Sequence, residues 1–133
     1  SAKACTCLIA PPTIPSGLYV TLVRLEPPAP GLNQEVGFFV TFLSTASGTQ
    51  NYRWSIYIFK ADNLKNSFGE LSAQLTSIPV GAAEQKALGV WKTGINGCGN
   101  YIARPAWLDE NKKATPFTKP DGQMYELPFT VCQ

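Results

Sequence analysis

The sequence predicts an all-β protein, an antiparallel β-sandwich of about seven or eight strands, on three observations. Gly and Pro number 11 each among 133 residues, a balance that favours short strands and many turns. Only 15% of the residues are charged, against roughly a quarter in an average domain. The stretch 35–60, EVGFFVTFLSTASGTQNYRWSIYIFK, reads as two alternating apolar strands separated by a Ser/Gly/Thr turn, with Trp54 in mid-strand. At this length the chain is expected to be one folding domain over 18–133, preceded by a Pro-rich lead-in or linker over 1–17.

In the lead-in, Pro11, Pro12 and Pro15 remove backbone donors and push their predecessors toward extended geometry. The opening SAKACTCLIAPPTIPSG is too short and too broken by proline for an intact signal peptide and is expected to be a processed stub. A first strand is expected over 18–25, with Leu18, Val20 and Leu22 on one face and Tyr19, Thr21 and Val23 on the other. Pro27, Pro28 and Pro30 end it, since they cannot feed a ladder.

Strands over 36–44 and 52–60 are expected to pair as a hairpin around Ser47, Gly48 and Thr49. That register sets Phe42 against Trp54, Val40 against Ile56 and Phe38 against Ile58. The other face then carries Leu43 with Arg53, Thr41 with Ser55 and Phe39 with Tyr57. From 61 to 81 the pattern supports a short edge strand, and 84–92 reads as a strand ending near Trp91, although EQKAL also accepts a turn of helix. Strands over 101–108 and 123–132 close the fold. Pro105 points to a bulge or an edge position, and Tyr125, Leu127, Phe129 and Val131 point inward.

If the last two strands pair across their long connection, facing residue numbers sum to about 231, which sets Cys132 opposite Gly99, one step from Cys98. A Cys98–Cys132 disulfide follows, and closing a loop of that size stabilises by about 3 to 4 kcal/mol on the chain-entropy model. Cys5 and Cys7 are expected to be oxidised too. Their partners stay open: each other, or either of the distant cysteines. A zinc site fits the CxC spacing poorly and has no histidine to complete it, so no metal is expected. An even cysteine count in a small strand-rich domain points to an oxidising compartment, hence a secreted or cell-surface location.

VGFFVTFLSTASGTQNYRWSIYIF, followed by GNYIARPAWLDENKK and a closing YELPFTV, resembles the CARDB-type, immunoglobulin-like sandwich modules of bacterial extracellular proteins. The likeness runs from the first strand to the end, with Ser44 where the family pattern has asparagine. It implies an immunoglobulin-like fold and a non-catalytic role in adhesion, ligand presentation or spacing within a larger surface or secreted protein. A carbohydrate-binding module accompanying a secreted enzyme is the alternative.

Histidine is absent, which removes the commonest general base and the commonest metal ligand. The nine carboxylates show no paired spacing, and neither GxSxG nor a phosphate loop is present, so no enzyme and no cofactor are expected. A net charge of +2 without Lys/Arg runs argues against nucleic acid, and no apolar run is long enough to span a membrane. A protein or glycan ligand is the partner to expect.

Trp54 is expected in the core, as in immunoglobulin sandwiches. Trp91 and Trp107, near strand ends, plug the sandwich or line a sugar-binding shelf. Phe39, Leu43, Tyr57 and Phe59 form a contiguous outer patch unless the lead-in or the 62–80 segment covers them, and such patches mark interfaces, including weak self-association. Phe117 is expected as an aromatic contact at an exposed loop tip. The candidate binding residues are therefore Phe39, Tyr57, Phe59 and Phe117. Asp109, Glu110, Asn111 and Asp121 are oxygen donors of the kind that hold calcium, but interleaved lysines favour plain solvation.

Overall fold

The computed structural model describes residues 17–95 and 97–132 and shows an all-β sandwich of two antiparallel sheets. Cys5, Cys7 and the expectations for the lead-in lie outside the described residues. The strands are β1 (Leu18–Glu26), β2 (Glu35–Ser44), β3 (Gln50–Lys60), β4 (Gly69–Glu70), β5 (Gln74–Ile78), β6 (Gly81–Lys86), β7 (Trp91–Lys92), β8 (Gly99–Leu108), β9 (Ala114–Pro116) and β10 (Leu127–Val131). One sheet runs β1-β2-β6, with β7 continuing β6 along β2. The other runs β10-β8-β3-β4, with β5 continuing β4 along β3 and β9 beside β10 along β8. Three lines of strand are thus each broken in two, giving ten segments where about seven or eight strands were expected.

The hairpin between β2 and β3 does not form. β2 pairs with β1 and β6, β3 pairs with β8, and the 45–49 connection carries the chain from one sheet to the other. Alternation dictates which residues face inward, not which strand lies alongside, so both strands still bury the expected faces. Phe38, Val40, Phe42, Trp54, Ile56 and Ile58 are all inaccessible to solvent. Phe42 does meet Trp54, ring centroids 5.1 Å apart and edge to face, but across the sandwich rather than along a ladder. The Trp54 indole N–H donates to Thr76 Oγ1 at 3.0 Å, which satisfies its only polar atom.

β1 departs from strict alternation through a bulge between Val20 and Leu22. The inward set becomes Leu18, Val20, Val23 and Leu25, and Leu22, expected on the same face as Leu18 and Val20, is 49% exposed. The expected strand over 84–92 appears as β6 and β7, interrupted at 87–90. Pro105 lies in the central strand β8 with no bulge against β3. Its carbonyl accepts the Phe117 N–H, so its missing donor faces the gap between β9 and β10, where no ladder bond is lost.

The long 117–126 connection crosses to the open side of the sandwich. Thr118 O accepts the Val20 N–H and Tyr125 Oη accepts the Val23 N–H, tying it to β1. Phe117 is drawn inside, 0% exposed and edge-on to Phe42 at 5.4 Å, so the exposed tip expected for it is corrected: it is a core residue. Cys98 and Cys132 form a disulfide with Cα atoms 5.1 Å apart at the end where β8 begins and β10 ends. The expected register was one residue off, since Val131 rather than Cys132 faces Gly99. No helix among the described residues is long and apolar enough to cross a membrane.

Candidate functional site

Placing β2 and β3 in opposite sheets divides the outer patch expected from the sequence. Phe39 and Leu43 lie on the outside of the first sheet, Tyr57 and Phe59 on the outside of the second, with the whole core between them. The Arg24 guanidinium sits 4.1 Å from the Phe39 ring centroid and hydrogen-bonds Glu84 and Glu26, so Phe39 is roofed by charge. Arg24 in turn holds the Glu84 carboxyl below its usual range through that hydrogen bond.

On the second sheet, Tyr57 and Phe59 border a hollow of about 140 Å³ floored by Ala106, Ala114 and Pro116. Arg104 lies over Phe59 at 4.6 Å and donates from Nε to Glu126 at 2.6 Å. Burial, helped by the charge of Glu70 opposite, pushes the Tyr57 hydroxyl above the usual tyrosine range. The hollow is smaller than the roughly 300 Å³ at which small-molecule sites begin.

A larger groove opens where β3 and β8 meet the loop after β8. Two adjoining cavities of about 570 and 520 Å³ share Arg53, Leu108, Asp109 and Glu110. Asn51, Trp107 and Asn111 complete the first, and Ala73 and Lys112 the second. The strands set this geometry: Arg53 points outward from β3 opposite Leu75 of β5, and Trp107 pairs with Trp54 at the end of β8. Asp109 shapes the loop, its Oδ1 accepting the Asn111 N–H at 2.8 Å and the Lys113 N–H at 2.9 Å. Asp121 does the same for the next turn, accepting the Gln123 N–H at 2.9 Å. Among the described residues no three His, Cys, Asp or Glu side chains group as metal ligands.

Trp91 plugs the opposite end of the sandwich, 7% exposed, in a cluster with Tyr101, Phe129 and Phe68. Of the three tryptophans only Trp107 is half-buried and lines a cavity. Of the candidate binding residues, the structure brings Tyr57 and Phe59 together, separates Phe39 from them and buries Phe117. Arg53 and Asn51 had carried no expectation as site residues. The signal for them lay in the β3–β8 pairing, which sets Arg53 beside the end of β8, and an assumed β2–β3 hairpin hides it.

The fold and groove define a small disulfide-linked β-sandwich with a concavity at one end of the sheets, lined by charged, amide and apolar side chains together. No family model matches the chain, and a search of curated proteins finds no match.

Proposed function

We propose that this chain is a non-catalytic, exported immunoglobulin-like module that presents a loop end or a sheet face to a partner, or spaces other domains apart, as the CARDB resemblance implies. The observation that supports the reading is the strand order: β1 and β2 pair in one sheet while β3 joins β8 and β10 in the other, a pattern shared with immunoglobulin-like sandwiches, with Trp54 of the third strand buried between the sheets. Tyr101 adds support. At the start of β8 its hydroxyl donates to the Gly97 carbonyl at 2.7 Å, four residues upstream, in the manner of the tyrosine corner of immunoglobulin-like domains. The Cys98–Cys132 disulfide is compatible with an oxidising environment, which supports export.

An antibody against the domain tests location and exposure together on cells of the source organism. Labelling of intact cells, or recovery from the medium, is expected; labelling only after permeabilisation contradicts export.

Glycan binding is the second reading, favoured by one observation: the end groove combines Trp107 with Arg53, Glu110 and two asparagines. Ring stacking on the Tyr57/Phe59 face is less favoured because Arg104 already covers Phe59.

A further inference from the structure

We infer that the groove around Arg53 and Trp107 takes a neutral sugar ring presenting adjacent hydroxyl groups, an assignment that rests on the glycan reading and gives it a site. Arg53 and Glu110 line the same space, and neither is in any ion pair among the described residues. A five-donor fork and a two-oxygen acceptor thus face one groove without engaging each other.

That pair selects against simple ions. An anionic ligand drawn to Arg53 meets the carboxylates of Glu110 and Asp109, and a cation drawn to those carboxylates meets Arg53, with Lys112 lining the adjoining cavity. Neighbouring hydroxyls on a neutral ring satisfy both at once, accepting from the guanidinium and donating to the carboxylate. Asn51 is already half committed: Ser77 Oγ donates to its Oδ1 at 2.6 Å, which leaves the amide N–H groups as donors toward the groove. Trp107 supplies the apolar surface that the C–H face of a sugar ring requires. Size agrees, because each cavity falls within the roughly 300 to 1,000 Å³ range of small-molecule sites.

The test titrates the disulfide-intact protein with hexasaccharides of β-1,4-glucan, xylan, mannan and β-1,4-galactan, reading tryptophan emission and backbone amide shifts. A saturable emission change with one or more of them is expected, with shifts centred on Asn51, Arg53 and Asn111. Arg53→Ala and Glu110→Gln are each expected to weaken binding by about tenfold, since the first removes a charged donor and the second replaces a charged acceptor by a neutral one. Trp107→Phe should abolish the emission change, because the remaining tryptophans are buried. Near-UV circular dichroism of each variant establishes that the fold is retained. Binding unaffected by Arg53→Ala and Glu110→Gln, or amide shifts centred on Tyr57 and Phe59, overturns the groove while the glycan reading stands. No response to any of the four overturns both, and leaves surface labelling as the separate test of the exported module.

Discussion

Phe117 and Tyr101 show how single side chains close this fold. Phe117 follows proline in a lysine-rich loop, and nothing in that local sequence marks it as core; it becomes core because the 117–126 connection hydrogen-bonds to β1 and turns the ring onto Phe42. Phe117→Ala is expected to destabilise by about 3 to 5 kcal/mol, the range for truncating a buried phenylalanine, in urea unfolding; a loss under about 1 kcal/mol would mean the ring is not packed inside. Tyr101 is buried with its hydroxyl on the Gly97 carbonyl, and burial raises its pKa above the ordinary 10.0. Tyr52 and Tyr57 are raised for the same first reason. The unfolded chain therefore releases these protons first, so the stability they confer is complete below pH 10 and lost as pH rises toward the native values. Unfolding across that window should show stability falling with pH and falling less steeply in Tyr101→Phe. A variant with an unchanged slope would contradict a buried Tyr101 hydroxyl.

Among the elements, what was legible followed the alternation of side chains and what was not followed from pairing. Trp54, Ile56, Ile58, Phe38, Val40 and Phe42 could be placed inside because a period of two marks the inward face wherever the strand sits. The partner of β2 could not be read that way. A five-residue connection serves a hairpin or a crossing between sheets, and edge-to-face contact of Phe42 with Trp54 satisfies the same pattern in either case. The β1 bulge was invisible for a related reason, since Leu22 and Val23 are both apolar and either suits the core. The end groove stayed hidden because it needs β3 beside β8, a pairing between residues far apart in sequence. The β8–β10 ladder, by contrast, was close to readable, and its disulfide spans a sequence separation of 34. Replacing both Cys98 and Cys132 by serine is expected to cost about 3 to 4 kcal/mol of unfolding free energy without changing the far-ultraviolet spectrum. An unchanged denaturation midpoint would show that the bond does not constrain the unfolded chain.

For the whole molecule, the two sheets supply a rigid frame and the Arg53/Trp107 groove lies at the end where the 45–49 and 109–113 connections turn. That division is common in sandwiches, where the core fixes the strand ends and the variable loops meet the partner. The proposed export rests on the disulfide that joins the ends of β8 and β10, Cys98 to Cys132. Non-reducing peptide mass mapping of the protein recovered from its source, with free thiols blocked at lysis, tests this most directly. The predicted result is a single cross-linked species joining the peptide with Cys98 to the peptide with Cys132. Recovery of both cysteines in blocked, unlinked form would contradict it.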